Sequence, residues 1–192
     1  MKYTWKLQEK AGDSLIDQLL FNRDIDDEHK EAFLNPDWDR DIHDPFLFTK
    51  MQQAVERAFT AIEKGQKIVI HGDYDADGIC GSSIIFDVLQ VLSVAMGAVL
   101  NVEAFLPHRE RDGYGVAMHT IERLDEQDVE LLITVDCGIA NAKELNRADE
   151  AGIDVIICDH HQLASEIPEK ALIIHPLAPG ETYPNKKLAG SG

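Results

Sequence analysis

The stretch Lys67-Ile68-Val69-Ile70-His71-Gly72-Asp73-Tyr74-Asp75-Ala76-Asp77-Gly78 runs a β-branched apolar segment straight into one imidazole and three carboxylates at alternate positions. Alternate residues of an extended chain point to the same side. His71, Asp73, Asp75 and Asp77 therefore start from a common side, and hard divalent cations take convergent oxygens with an occasional imidazole. The segment reads as a metal site at a strand end. Asp73, Asp75, Asp77 and Gly78 copy the first half of an EF-hand loop, but the bidentate Glu of its twelfth position falls on Ile84, and no helix stands in front. Helix capping accounts for one Asp at a helix start, not for three with a His.

Outward from this stretch the chain alternates. Strands are expected over 67–71, 102–106, 131–135, 155–158 and 171–174, with helices over 79–94, 116–124 and 141–151. Runs such as Leu131-Leu132-Ile133-Thr134-Val135 and Val155-Ile156-Ile157-Cys158 suit strands covered on both faces, and helical crossovers make them parallel. The expected fold is α/β: an open, mostly parallel five-stranded sheet with helices on both faces, preceded by short N-terminal helices. Upstream, Phe48, Met51, Val55, Ala58, Phe59 and Ile62 recur at helical spacing and Gly65 closes the element. Two amphipathic patterns, 14–21 and 27–34, end at Asn35-Pro36, and the Pro-containing stretch 37–45 reads as a connection. The expected domains are an N-terminal helical segment over 1–45 and a catalytic domain over 46–192.

A chain of 192 residues with 44% hydrophobic content can bury one sizeable core. No stretch approaches the uninterrupted apolar length of a membrane span, and Met1-Lys2-Tyr3-Thr4-Trp5-Lys6 lacks the apolar core of a secretory signal, so a cytoplasmic protein without a membrane partner is expected. Three cysteines, Cys80, Cys137 and Cys158, odd in number and without CxxC spacing, indicate neither a disulfide framework nor a structural zinc site and read as small buried fillers. The net charge of −17 opposes strong unaided affinity for nucleic acid, although part of the excess is carboxylate that a bound cation neutralises.

In an open parallel sheet, ligands gather beyond the carboxyl ends of the strands. His71–Asp77 follows one strand, Asp136-Cys137-Gly138 another, and Asp159-His160-His161 a third, so three sequence-distant groups converge on one edge. No P-loop, HExxH or GxSxG motif occurs.

These three motifs, in this order, resemble those of the DHH phosphoesterase superfamily. Phe33-Leu34-Asn35-Pro36, Asp44-Pro45, and Pro107-His108-Arg109 followed by Gly113-Tyr114-Gly115 are similar to the RecJ family of single-strand-specific exonucleases within it. The resemblance covers roughly residues 20 to 192. It implies that His71 and Asp75 hold one manganese or magnesium ion, that Asp77 and His160 hold a second, and that Asp136 bridges the two. Such a pair carries out phosphodiester hydrolysis without a covalent intermediate. Asp73 is expected to orient His71 or to add a ligand, and Asp159 to orient a His. His161 is expected to contact phosphate or assist proton transfer, Arg109 to grip a non-bridging oxygen with its planar fork, and Tyr114 to stack on a base.

By the same resemblance, the later Asp motif that completes the second metal site, a second DHH-associated domain and an OB-type domain are absent. The expectation is an N-terminal fragment, weakly active or inactive alone, of a 5′ to 3′ single-stranded-DNA exonuclease of recombination and repair. Its expected partners are single-stranded DNA, a single-strand-binding protein and a helicase. The alternatives are another DHH enzyme, acting on pyrophosphate, oligonucleotides or cyclic dinucleotides, and a non-catalytic scaffold. Such enzymes begin their metal motif close to the N-terminus, whereas here it begins at His71.

Overall fold

The computed structural model describes residues 4–192; Met1, Lys2 and Tyr3, with which the expected N-terminal segment begins, lie outside the described residues. The chain divides into two units, Met1–Asp44 and Pro45–Gly192. In the first, α1 (Leu15–Phe21) is capped by the Ser14 hydroxyl, which accepts the Asp17 N–H, and α2 (Asp27–Leu34) by Asp26, which accepts from His29. The stretch expected as a plain connection holds a one-turn helix, α3 (Trp38–Asp41), because Asp37 accepts the Arg40 N–H and caps it.

The second unit is the expected sheet. Helix α4 (Met51–Glu63) leads into β1 (Lys67–Gly72), α5 (Ala76–Met96), β2 (Asn101–Phe105), α6 (Met118–Glu126), β3 (Leu131–Val135), α7 (Ala142–Glu150), β4 (Asp154–Cys158) and β5 (Leu172–Ile174). The five strands stand in the order β2-β1-β3-β4-β5, and every pairing is parallel. Side-chain alternation builds two cores. Ile68, Ile70, Leu131, Ile133, Val135 and Ile156 pack with α4 and α5, while Val69, Leu132, Val155 and Ile157 pack with α6 and α7. The central strands β1, β3 and β4 are thus covered on both faces, while edge strand β2 stays largely exposed, and the strand ends are left for chemistry.

Helix α5 bears on two expectations and corrects the second of them. Its 21 residues are long and apolar enough to cross a membrane by length and composition, with an 18-residue window of mean hydropathy 1.8. Scattered Gly, Ser and Asp break every uninterrupted run, which is why an unbroken-length criterion passes over it. In the fold its Leu89 packs on the sheet, whereas Ile84, Val88, Val91 and Val94 are exposed. Cys80 lies on the same helix and is exposed rather than buried, Cys137 is buried, and Cys158 is intermediate.

Candidate metal centre

Because β1, β3, β4 and β5 are neighbours running the same way, the residues leaving their carboxyl ends meet at one edge. Each exit is pinned to the next strand: Asp73 N–H donates to the Val135 carbonyl (3.1 Å), Asp136 N–H to Cys158 (2.8 Å) and Asp159 N–H to Ile174 (3.2 Å). Asp136 leaves β3 in the left-handed region, φ 59°, a costly conformation for a residue with a Cβ. Asp75 ends the first loop as the N-cap of α5, accepting from the N–H groups of Asp77 (2.9 Å) and Gly78 (3.1 Å). The helix begins at Ala76, three residues before the expected start, so Asp77 sits in its first turn.

Among the described residues, two groups have ligand atoms all within 4.8 Å of one another: Asp73, Asp75 and Asp136, and Asp136, His160 and His161. Asp136 belongs to both. Asp77 approaches the second group, with Oδ2 3.5 Å from His160 Nε2, and its two oxygens accept the N–H groups of Gly190 (2.9 Å) and Ser191 (2.6 Å). His71 lies outside both groups. Its ring is buried, and Nε2 is 3.2 Å from the Gly115 carbonyl, which can only accept. Nε2 therefore carries the proton, and the lone pair is on Nδ1, which is buried with no hydrogen-bond partner.

Asp159 is the organiser of the third loop. Its Oδ1 accepts the main-chain N–H groups of His160 (2.7 Å) and His161 (3.1 Å) and lies 2.8 Å from His161 Nδ1, while its Oδ2 accepts from Ile139 (3.0 Å). Arg109 is exposed, with its guanidinium 4.7 Å from the centroid of the Tyr74 ring. The Tyr114 hydroxyl reaches His161 Nδ1 (3.0 Å) and the Asp136 carbonyl (3.3 Å).

Burial and then the Asp77 charge push the Asp136 carboxyl up to about 6, and burial likewise raises Asp73. Burial brings His71 down to about 4. For Asp77, burial is outweighed by the Ser191 and Gly190 donors, which hold its carboxyl below the usual range; for His161, burial is outweighed by Asp159, which raises the imidazole. Burial and the surrounding carboxylates keep the Tyr114 hydroxyl protonated.

The residues present fit a divalent cation. Asp136 Oδ1 is buried without a hydrogen-bond partner, although His160 Nε2 is 3.1 Å away, and His71 Nδ1 is likewise unpartnered. Crowded carboxylates with free lone pairs are costly without positive charge.

Two contributions have no counterpart among the expected site residues. His175 follows β5 at the same edge, fully buried, with Nδ1 accepting the Leu177 N–H (3.0 Å) and Nε2–H donating to the His161 carbonyl (2.8 Å). Ile173-Ile174-His175 repeats the pattern of an apolar strand ending in a polar residue, the signal that would have found it. The Gly190 and Ser191 amides have no side-chain signal to read.

The model described as the DHH family, N-terminal domain, matches residues 67–192. A curated relative, the single-stranded-DNA-specific exonuclease RecJ of Bacillus subtilis, is 40% identical over 203 aligned residues, covering 100% of this chain and 25% of that protein. RecJ of Thermus thermophilus is 41% identical over 127 residues, covering 66% of this chain and 18% of that protein. The chain thus spans about a quarter or less of the length of these relatives. Among solved structures, exonuclease RecJ bound to manganese matches with a TM-score of 0.67 and 35% identity, over 79% of this chain and 37% of that one. RecJ in complex with Mn²⁺ from Thermus thermophilus matches with a TM-score of 0.64 and 29% identity, over 92% of this chain and 23% of that one.

Proposed function

The chain belongs to the DHH family, and on that premise we propose that it is the N-terminal part of a RecJ-type exonuclease that hydrolyses phosphodiester bonds of single-stranded DNA. The observation that carries this reading is the double membership of Asp136 in two ligand groups at one sheet edge. The 40% identity to a single-stranded-DNA-specific exonuclease across the whole chain supports the substrate class.

In this reading Asp73, Asp75 and Asp136 would hold one cation and Asp77, His160 and Asp136 the other; His71, expected as a ligand of the first, lies outside both groups and would support that site from beside it. Mn²⁺ or Mg²⁺ there supplies charge neutralisation at the scissile phosphate and activation of water. Asp136, shared by both groups, would link the two sites. Asp159 holds His161 Nδ1, leaving Nε2 for a phosphate oxygen or for the proton that the leaving oxygen takes up. Arg109, resting on Tyr74, is free to pair two of its N–H groups with non-bridging oxygens. Phosphate is gripped by cations and one guanidinium, which reconciles the substrate with a net charge of −17. The whole protein degrades strands in the 5′ to 3′ direction during recombination and repair in the cytoplasm, with a single-strand-binding protein and a helicase as partners.

The test is a Mn²⁺-dependent assay on single-stranded DNA labelled at either end, beside pyrophosphate and dinucleotides, with calorimetric Mn²⁺ titration of this chain. Mn²⁺ binding that Asp136→Asn abolishes, with mononucleotides released first from the 5′ end, is the expected outcome. Absence of specific Mn²⁺ binding, or preferential hydrolysis of pyrophosphate, would overturn the reading.

A further inference from the structure

Tyr114 lies in the loop between β2 and α6, flanked by Gly113 (φ 77°) and Gly115 (φ 80°). A ring that serves a base presents its face outward, and Tyr114 is 48% exposed. Its hydroxyl, however, is turned into the site, and the polar groups around it dictate the direction of each bond. Asp159 Oδ1 lies 2.8 Å from His161 Nδ1 and a carboxylate accepts, so that nitrogen carries hydrogen. The Tyr114 oxygen, 3.0 Å from the same Nδ1, is then a second acceptor. Its own proton is left for the main-chain carbonyl of Asp136 at 3.3 Å, which can only accept. The two rings also meet edge to face, with centroids 5.5 Å apart at 68°.

The loop itself is held from the opposite side. Asn141 accepts the Val116 N–H (3.1 Å) and donates to the Val116 carbonyl (3.2 Å), and a Cβ on Gly115 would stand 2.5 Å from Asn141 Oδ1. Gly115 also presents its carbonyl to His71 Nε2. Two adjacent residues, Tyr114 and Gly115, therefore touch three of the site groups: His71, Asp136 and His161.

We propose that Tyr114 is a positioning residue that acts through its hydroxyl, fixing the imidazole of His161 and the left-handed backbone of Asp136, and not a platform for a nucleobase. This rests on the metal-centre reading above. The hydroxyl supplies the only hydrogen bond among the described residues that joins His161 to the peptide of Asp136. Its loss frees the ring to rotate about its Asp159 contact and releases the carbonyl of a residue whose φ is already unfavourable.

Tyr114→Phe separates the two roles, since it keeps the ring and deletes only the hydroxyl. The expected results are a Mn²⁺ affinity about tenfold weaker by calorimetry, as for loss of an outer-shell partner, and a displaced His161 Nδ1 resonance in ¹⁵N NMR of the metal-free protein. At saturating Mn²⁺, affinity for a single-stranded oligonucleotide should stay at the wild-type level in Tyr114→Phe and also in Tyr114→Leu, which removes the ring. An unmoved His161 resonance with unchanged Mn²⁺ affinity overturns the proposal, as does an oligonucleotide affinity that falls in Leu and not in Phe. A wild-type protein that binds no Mn²⁺ sinks the metal-centre reading instead, and the resonance comparison still decides the hydroxyl contact.

Discussion

Asp136 combines a left-handed backbone, 1% exposure and a carboxyl raised to about 6 by burial and by Asp77. A folded-state pKa above the ordinary 3.8 means that the ionised form is disfavoured by folding, a cost that grows from pH 3.8 to 6 and is complete above it. Asp136→Asn removes that charge and keeps a residue tolerant of positive φ. It should raise metal-free stability at pH 7 by on the order of 2 kcal/mol while abolishing the rise in Tm that Mn²⁺ produces; differential scanning calorimetry with and without Mn²⁺ checks both. Function and stability oppose one another at this residue, as expected where a site stores unfavourable charge for a ligand to relieve. Asp136 as a candidate ligand was legible from its place after an apolar strand. Its left-handed backbone was not, because φ at a strand exit is set by the surrounding tertiary contacts and leaves no mark on residue type beyond the tolerance of Asp for it.

The element that shapes the site is the first half of α5, where Gly78, Gly81 and Ser82 are buried. A Cβ on Gly78 would lie 2.6 Å from both the N and the O of Asp73, main-chain atoms that cannot swing aside. Gly78→Ala should therefore cost about 1–3 kcal/mol and weaken Mn²⁺ binding by shifting the loop. Gly97, the left-handed C-cap at the other end with open space around it, is the control. Its alanine variant should cost about 1 kcal/mol and leave Mn²⁺ affinity unchanged, as urea melts and titrations would register. After β5, at the same edge, His175→Phe keeps the buried ring shape and loses the donor to the His161 carbonyl. A loss of Mn²⁺ affinity of roughly tenfold, the low end for an outer-shell contact, is anticipated, with recovery in His175→Gln, which retains a donor of similar reach. The strands and most helices were legible to within a few residues because each repeats a local period. The start of α5 was not, since Asp75 caps the helix with the same carboxylate that faces the site.

Across the whole molecule, two buried groups of the centre, His71 and Asp136, act in opposite directions. His71 has a folded-state pKa of about 4 against 6.5, so between those values the unfolded chain holds a proton that the folded one lacks, and stability falls as pH drops through the window. Asp136 does the reverse between 3.8 and 6, so the two nearly cancel in the metal-free protein. A bound cation keeps Asp136 ionised and removes the compensation. The stabilisation by Mn²⁺, measured as the difference in Tm between loaded and free protein, should accordingly shrink below pH 6 and be largely gone by pH 4. The order of elements, the parallel sheet and the convergence of three motifs on one edge were determined by the sequence itself. Periodicity is a local property, and parallel crossovers leave few ways to arrange such elements. Only the tertiary structure decided that Asp73 joins Asp75 and Asp136 while His71 stands apart, that Tyr114 turns its hydroxyl inward, and that His175 and the Gly190 and Ser191 amides complete the surround. Those outcomes depend on hydrogen bonds between residues tens of positions apart, which orient lone pairs by fractions of an ångström, and no local pattern of residue types encodes such directions.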